Sequence, residues 1–410
     1  MRLPRSAVGK GRQEADEANK PAEVEAIEAF LLSQAEFRHN VITHHCEIRW
    51  TEEAGFLPLT DRDVNTLWGR MNKTVGRVYL TDIYNVIHSE FVPLFNPFQS
   101  YFDHLPSWDG VSDPIGDLAD TVHVKSDQAE FRDYFRKWFV GILPALLDDT
   151  VVNHEILVLI GEQGLYKTTW FNFLLPPELR CYFYTKTNSD RLNKDDLFSL
   201  TEFALICFEE LDGMRPAELN QLKAMVTMPY VNERAAYGRN KERHPHIASF
   251  CGTGNNVQFL TDPTGNRRWL PFEVSQIRDP HLHAIPYELV YSQAYALWKS
   301  GFCHWFSQEE IRVLNTHNSR FEVPNLEEDL IRTHFRKPFE GEAGIFVTAA
   351  DILEQISSCL RYPLSPNKIG RIMAGLEFES IRYKGKRGYI TVKKTGEDID
   401  RERRSGALGL

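Results

Sequence analysis

Short apolar runs and amphipathic segments alternate through the middle of the chain. Four apolar runs predict buried strands, and they lie at residues 155–160, 203–208, 247–252 and 269–274. Helical segments separate them, one at residues 167–175 before a Pro-Pro pair and one at about 216–227 that opens with proline. Uninterrupted apolar strands are typical of a parallel sheet that is covered on both faces. The pattern therefore predicts a three-layer α/β core.

The sequence upstream of this core favours a mainly helical, mixed region. Val24, Ile27, Phe30 and Leu31 recur at helical spacing, and short apolar groups with turn residues follow. A second helix carries an aromatic face ahead of Pro144. The members of this face are Phe131, Tyr134, Phe135, Trp138, Phe139 and Ile142. We expect that face to be buried in the core.

Two helices and a hairpin are predicted near the C-terminus. Thr348-Ala-Ala-Asp351 is a capping box that opens one helix, and Ser365-Pro366 opens a second. The runs 378–383 and 389–392 predict a β-hairpin joined by the basic turn 384–388. Two helices followed by a basic-tipped hairpin resemble a winged helix.

These patterns divide the chain into six predicted segments. They are a disordered leader at 1–22, an N-terminal helical and mixed domain at 23–128, the α/β core at 129–285, a helical connection at 286–335, a winged-helix-like domain at 336–395 and a disordered tail at 396–410. The two ends are assigned to disorder because they are rich in charge and small residues and poor in large apolar ones.

Length and composition narrow the class of protein. A chain of 410 residues can form two or three domains with their own cores. Its six cysteines are scattered without a Cys-x-x-Cys pair, so we expect reduced thiols and no zinc site. No apolar stretch approaches the roughly 20 residues that span a bilayer, which predicts a cytoplasmic protein without a membrane partner. The net charge of −10 restricts any nucleic-acid contact to local basic patches.

The first core strand runs into a turn with the features of a nucleotide-phosphate cradle. The turn and the helix start comprise Gly161, Glu162, Gln163, Gly164, Leu165, Tyr166, Lys167, Thr168 and Thr169. Small residues let backbone N–H groups converge on phosphate oxygens, and the following helix directs its positive end toward them. Lys167 adds a full charge, and Thr168 offers a hydroxyl to Mg²⁺. Because Tyr166 stands where the usual G-x-x-x-x-G-K-[ST] spacing has glycine, an ordinary strand-to-helix turn with a surface lysine is the alternative.

Acidic and amide side chains follow the next two predicted strands. Glu209 and Glu210 come directly after residues 203–208, and Asn255 follows the third strand. Carboxyl ends of parallel strands meet at the edge that carries the phosphate loop. There one acid can hold Mg²⁺ and the next can align an attacking water, while the amide can bond that water or the γ-phosphate. Solvated turns are the alternative explanation of each feature taken alone.

An arginine pair precedes the fourth predicted strand, in the sequence Thr264-Gly-Asn-Arg267-Arg268-Trp269. Guanidinium groups suit the negative charge of a phosphoryl group in the transition state of its transfer, in particular when a neighbouring subunit supplies them. The pair is therefore a candidate for the catalytic machinery of an adjacent protomer.

The order of these motifs resembles the core of the virulence-associated protein E family. The resembling stretches are Gly161 to Thr169, Phe208-Glu209-Glu210, Thr253-Gly-Asn255, Gly265-Asn-Arg-Arg-Trp269, the preceding segment Asn96–Gly110, and Tyr237-Gly238-Arg239. That family is similar to superfamily 3 helicases of the AAA+ class, which phages and mobile elements encode. The resemblance implies a P-loop AAA+-type core that binds ATP and Mg²⁺.

The resemblance also implies a role for each polar residue of the core. The implied roles are phosphate and Mg²⁺ binding for Lys167 and Thr168, metal binding for Glu209, activation of water for Glu210, sensor 1 for Asn255, and the arginine finger for Arg268 with support from Arg267.

A basic stretch with an aromatic residue lies ahead of the third predicted strand. Its nucleic-acid candidates are Tyr237, Arg239, Lys241 and Arg243. Spaced cations can follow a single-stranded backbone while tyrosine stacks on a base, and in ring helicases such a segment lines the central channel. A polar loop is the alternative. Residues 335–394 carry eleven Lys or Arg against six Asp or Glu, which favours either DNA or a subunit contact for the C-terminal domain.

The leading hypothesis is an ATP-dependent DNA helicase or translocase that acts as a hexameric ring in replication of a phage or mobile element. Single-stranded or forked DNA and a primase or other replication protein are the expected partners. The second hypothesis is an ATP-driven, DNA-binding switch or loader that does not unwind DNA. A kinase that uses the same phosphate loop is the third, although the sequence offers no acceptor site.

Overall fold

The computed structural model describes residues 22–187, 194–233, 242–261, 266–324, 326–339, 341–356 and 365–404. The chain folds into two compact units, Met1–Phe321 and Glu322–Leu410. Apart from Ala22, the predicted leader lies outside the described residues. Within these described ranges, no helix is long and apolar enough to cross a membrane.

The first unit begins with a small module built around a four-stranded sheet. The strands are β1 (Ala35–Asn40), β2 (His45–Trp50), β3 (Leu57–Pro58) and β4 (Leu94–Phe95), in the order β3-β2-β1-β4. β1 and β2 form an antiparallel hairpin. The prediction of a mainly helical region was therefore wrong at this point. Its strands were missed because they are short and carry charged side chains on the face that is not buried.

Three helices cover this sheet, and they span Val24–Gln34, Asp61–Thr74 and Leu80–Ile87. The apolar core of the module runs from Ile27 to Val92. The next helices, Pro97–Asp103 and Pro114–Ala119, pack instead into the main core of the unit. The small core therefore ends well before the predicted boundary at residue 128.

A six-stranded sheet forms the centre of the first unit. Its strands are β5 (Val122–Val124), β6 (Ile156–Ile160), β7 (Phe183–Lys186), β8 (Leu205–Phe208), β11 (Ser249–Gly254) and β12 (Trp269–Ile277). The two strands between β8 and β11, which are β9 (Tyr230–Glu233) and β10 (Glu242–Pro245), form a separate antiparallel pair. The order across the large sheet is β5-β12-β6-β11-β8-β7. All neighbours are parallel except β5, which runs antiparallel to β12. The four predicted core strands are confirmed.

Side chains of β6 alternate between two apolar cores, one on each face of the sheet. Leu157 and Leu159 belong to the first core, whose helices are Gln128–Leu147, Lys167–Phe173 and Tyr287–Lys299. Ile156, Val158 and Ile160 belong to the second core, whose helices are Lys194–Glu202 and Pro216–Val226. The predicted aromatic face, including the fully buried Trp138, packs in the first core. The mixed α/β fold with a parallel sheet is confirmed.

The chain order creates a switch point beside β6. From β6 the chain passes to the edge strand β7, returns through β8 and β11, and then crosses to β12 on the other side of β6. In an open parallel sheet, a crevice for ligands forms outside the carboxyl ends of the strands at such a point. The carboxyl ends of β6, β8 and β11 are therefore the expected location of a ligand site.

The predicted helical connection at 286–335 is divided between the two units. Its first helix, Tyr287–Lys299, places the fully buried Tyr291 in the main core, and Gln308–Asn318 packs against β12. The third helix, Leu326–His334, belongs to the second unit. The first two helices are thus structural parts of the core.

The second unit contains the predicted helices and hairpin. Its helices after Leu326–His334 are Ala349–Ile356 and Pro366–Gly375, and its strands are β13 (Phe335–Arg336), β14 (Ile345–Val347), β15 (Ser380–Tyr383) and β16 (Lys386–Lys393). The capping box is formed, because Thr348 N donates to Asp351 (2.8 Å) and Asp351 N donates to Thr348 (3.3 Å). The hairpin turn is tighter than predicted: only Lys384 and Gly385 separate the strands, at φ of 48° and 80°.

A helix over Gly396–Arg404 replaces most of the predicted disordered tail. Thr395 caps it, since Asp398 N donates to Thr395 Oγ1 (3.2 Å) and Thr395 N donates to Asp398 Oδ2 (3.0 Å). The prediction was wrong because the polar composition of the segment hid this capping pair. Capping can start a helix that lacks an apolar face.

Candidate functional site

The turn between β6 and helix Lys167–Phe173 takes backbone conformations that glycine adopts most easily. Gly164 has a φ of 89° and Tyr166 has a φ of 61°. At Gly161 a Cβ would lie 2.9 Å from the carbonyl oxygen of Val274, so a larger side chain does not fit there without movement. Tyr166 therefore holds a left-handed backbone at the position where the usual phosphate-loop spacing has glycine, and its side chain is 42% exposed.

Glycine and alanine variants of Tyr166 separate backbone strain from the loss of the side chain. The left-handed conformation costs an L-residue roughly 1–2 kcal/mol, whereas glycine adopts it freely but loses roughly 0.5–1 kcal/mol more chain entropy on folding. We expect Tyr166→Gly to be more stable than Tyr166→Ala by about 0.5–1 kcal/mol in urea unfolding. An alanine variant at least as stable as the glycine variant would contradict the left-handed backbone.

Lys167 is buried and bonded to its own loop. Its Nζ donates to the carbonyl oxygens of Gly161 (2.6 Å) and Glu162 (2.7 Å) and lies 3.4 Å from Oδ1 of Asn255. Burial lowers the pKa of Lys167, and the carboxylate of Asp212 partly opposes that shift. The lysine thus lies inside the loop that a phosphate group would occupy.

Two of the predicted side chains meet directly across the strand ends. The Thr168 hydroxyl donates to Oε1 of Glu209 at 2.8 Å. Glu210 follows with a φ of 54°, which turns the chain away from β8 immediately after the pair of acids. No group of three or more His, Cys, Asp or Glu among the described residues could hold a metal ion. The two oxygens of Thr168 and Glu209 instead suit Mg²⁺, which keeps several waters and shares phosphate oxygens.

Asp212 is a site residue that the sequence motifs did not single out. Its carboxylate accepts from the backbone N–H groups of Asn255 (3.2 Å) and Asn256 (3.0 Å) at the end of β11. It therefore fixes the backbone that carries the Asn255 amide, and its negative charge raises the pKa of Lys167 against the effect of burial. The available signal was its place in the acidic run after β8, at the predicted edge of the sheet.

These residues share one cleft of about 410 Å³ at the carboxyl edge of the sheet. Its lining consists of Gln163, Gly164, Leu165, Tyr166, Lys167, Thr168, Thr169, Glu209, Glu210, Thr253, Gly254 and Asn255. Gly161 and Glu162 lie just behind it and hold Lys167 through their carbonyl groups. The loop, the two acids and the amide are therefore brought together as the parallel-sheet argument predicts.

The arginine pair lies at the opposite edge of the sheet. Arg267 and Arg268 precede β12, whose first residue Trp269 pairs with Ile156 at the start of β6. The five residues of β6 span roughly 16 Å, so the pair lies a full strand length from the cleft. Burial, followed by the charge of Arg267, lowers the pKa of Arg268, while nearby Glu155 raises it. The structure does not bring these arginines into the cleft of their own chain.

Three of the four predicted nucleic-acid residues, Tyr237, Arg239 and Lys241, lie outside the described residues. The fourth, Arg243, is exposed on β10, and its guanidinium lies 3.7 Å from the ring centre of Tyr230 on β9. This Arg–Tyr pair is a cationic surface that also offers a stacked aromatic ring.

A larger cavity of about 1020 Å³ lies elsewhere in the first unit, between the N-terminal module and the main core. Glu47, Glu178, Glu202 and Glu288 are among its lining residues. Arg38 in the same wall is already paired with Glu47 at 2.5 Å. The described lining of this cavity carries four glutamates and no lysine, so we do not assign the candidate nucleotide site to it.

The fold and the cleft define an α/β protein with a candidate ligand site at the carboxyl edge of a parallel sheet. The chain belongs to the virulence-associated protein E-like domain family, whose model matches residues 103–323. The family predicted from the sequence is therefore confirmed.

Among solved structures, the chain is similar to the apo structure of the NrS-1 C-terminal region, residues 305–718, at 12% identity and a TM-score of 0.47. The A form of the same region is similar at 12% identity and a TM-score of 0.45. Each of the two matches includes 90% of this chain and 99% of the solved chain. No curated protein matches the sequence.

Proposed function

We propose that the protein is a Mg²⁺-dependent ATPase that binds the triphosphate in the cleft at the carboxyl edge. The observation that carries the proposal is the convergence of Lys167, the Thr168–Glu209 pair, Glu210 and Asn255 on that one cleft. A basic group, two metal-binding oxygens, a carboxylate and an amide are the groups that phosphoryl transfer to water requires. The position of the cleft at the switch point supports the same reading.

Each residue has a separate task in this proposal. Lys167 exchanges its bonds to the Gly161 and Glu162 carbonyl groups for bonds to the phosphates. Glu209 and Thr168 would hold Mg²⁺, which neutralises charge on the phosphates when bound. Glu210 accepts a proton from the attacking water and aligns it. Asn255, held by Asp212, donates to that water or to the γ-phosphate.

The arginine pair supports catalysis between subunits. A guanidinium that lies a strand length from its own cleft cannot act there, but it suits the site of the next protomer in a head-to-tail ring. We propose that Arg268, supported by Arg267, completes that neighbouring site. Such contacts close into a ring when the rotation between protomers allows it, and a hexamer is our working assembly.

We further propose that ATP hydrolysis drives a DNA helicase or translocase in replication of a phage or mobile element. Membership of the family and the cationic Arg243–Tyr230 surface support this reading. The short hairpin of the second unit adds Arg382, Lys384, Lys386 and Arg387 beside helix Pro366–Gly375, a winged-helix-like arrangement of basic residues. A switch or loader that binds DNA without unwinding it uses the same features and is the alternative.

The proposal is tested by ATP hydrolysis with and without single-stranded DNA, combined with strand displacement on a fork. We expect hydrolysis that requires Mg²⁺, rises when single strands are added, and releases one inorganic phosphate for each ATP consumed. Displacement of the fork strand favours the helicase, and stimulated hydrolysis without displacement favours the switch. Phosphate transfer to an acceptor other than water would identify a kinase and overturn the proposal.

A further inference from the structure

The end of helix Gln308–Asn318 is buried against the turn that carries the arginine pair. Asn318 is fully buried, and its Nδ2 donates to the carbonyl oxygens of Asn266 (2.7 Å) and Trp269 (3.0 Å). These two carbonyl groups stand on either side of Arg267 and Arg268 in the chain. A single amide therefore holds both ends of the arginine turn.

The preceding residue fastens the same helix end to the core. His317 is 4% exposed, and its Nε2 donates to the carbonyl oxygen of Pro271 in β12 at 2.7 Å. Its Nδ1 lies 2.9 Å from Oε2 of Glu130, in the first turn of helix Gln128–Leu147. The imidazole thus links the helix end to the sheet and to a helix on its face.

The segment that leads into the arginine turn is attached at the same place. The carbonyl oxygen of Phe321 accepts from the N–H groups of Phe259 and Leu260, each at 3.0 Å. The chain passes from the first unit to the second directly after Phe321. A single stretch, residues 317–321, therefore contacts both the chain ahead of the arginine turn and the turn itself. The same stretch ends where the chain passes to the second unit.

We propose that Asn318 and His317 are positioning residues for Arg267 and Arg268, a role that rests on the proposed function. Groups that act on a reacting phosphoryl must be held within roughly 0.5 Å of the productive position. Arg267 is exposed and Arg268 is only partly buried, so packing of their own side chains does not hold them in place. The backbone of their turn has to do so, and the Asn318 amide and the His317 ring hold that backbone from its buried side.

The first test is the ATPase activity of Asn318→Ala. A displacement of about 1 Å can cost a catalytic group about 10²-fold in rate, so we expect kcat to fall by about that factor. The affinity for a fluorescent ATP analogue is expected to stay unchanged, because the phosphate loop lies at the other edge of the sheet. Asn315→Ala is the matched control, since it makes the same change at an exposed position of the same helix.

Subunit mixing distinguishes positioning of the arginines from a general loss of structure. Asn318→Ala subunits retain an intact cleft, and Lys167→Ala subunits retain intact arginines. Their equal mixture should recover activity at about a quarter of the interfaces in a random head-to-tail ring. A mixture of Asn318→Ala with Arg268→Ala should recover none, because both variants lack the same contribution. Recovery in this second mixture, or no recovery in the first, would overturn the proposal.

The mixture of Arg268→Ala with Lys167→Ala separates this inference from the proposed function. If that mixture stays inactive, catalysis between subunits fails and the role of Asn318 fails with it. If it recovers while the Asn318→Ala and Lys167→Ala mixture does not, only the positioning role fails. Should Asn318→Ala not fold, Asn318→Ser replaces it, because a hydroxyl can still donate to one of the two carbonyl groups. We expect that variant to show a smaller loss of kcat and the same pattern in the mixtures.

Discussion

Arg268→Ala is expected to lower kcat for ATP hydrolysis by about 10³–10⁵-fold, the contribution of an arginine finger to phosphoryl transfer. Its affinity for ATP should remain, because the arginine lies a strand length from the cleft that is proposed to bind the nucleotide in the same chain. Steady-state hydrolysis and equilibrium binding of a fluorescent ATP analogue measure the two quantities. Loss of kcat with retained affinity is the signature of a group that acts only in the transition state.

The matched control for Arg268 is Arg62→Ala, which removes an exposed arginine from helix Asp61–Thr74 in the N-terminal module. It changes the net charge by the same amount and should leave kcat unaltered. The specific activity of the unaltered protein should also rise with protein concentration as protomers assemble. An Arg268→Ala variant with ordinary kcat would remove the argument for sites shared between subunits.

Glu210→Gln is expected to lower kcat by about 10²–10⁴-fold, the range for loss of a general base. Glutamine keeps the size of the side chain but accepts no proton, so ATP should still bind and remain uncleaved. Rapid-quench measurement of a single turnover distinguishes slow cleavage from slow product release. A normal rate of ATP cleavage in this variant would show that a group other than Glu210 accepts the proton of the attacking water.

Two further variants sharpen the assignment of Glu210. Glu209→Gln should chiefly raise the Mg²⁺ concentration needed for activity, because Glu209 and the Thr168 hydroxyl that it contacts form the proposed metal site. Glu309→Gln removes an exposed carboxylate from the first turn of helix Gln308–Asn318 and serves as the control. The three variants together separate metal binding, activation of water and general charge effects.

The core and its cleft could be predicted because their signals are local. Each of the four predicted strands is an apolar run, and the loop, the two acids and the amide of the candidate cleft come shortly after such runs. The rule that parallel strands end at one edge then brings Glu209, Glu210 and Asn255 to the phosphate loop without knowledge of the strand order. The same rule places Arg267 and Arg268 at the other edge, because they precede their strand instead of following it.

Features that depend on distant contacts could not be predicted in the same way. Asp212 acts through backbone groups more than forty positions away in the chain, at Asn255 and Asn256. The bond from Asn318 to the arginine turn likewise depends on how a helix packs against β12. The acidic run after β8 places Asp212 near the predicted site, but the local sequence of neither residue shows which groups it contacts. The strands of the N-terminal module were missed for a different reason, since short polar strands give a weak alternation signal.

If the protein hydrolyses ATP as proposed, the contacts of Lys167 oppose both the binding and the retention of nucleotide. A nucleotide must compete with the Gly161 and Glu162 carbonyl groups for the same ammonium, so part of its binding energy is spent in freeing the side chain. Once the γ-phosphate has left, the ammonium can return to those carbonyl groups and weaken the hold on the diphosphate. In the proposed cycle, the two loop carbonyl groups therefore oppose retention of the diphosphate, which links the geometry of this turn to the release of product.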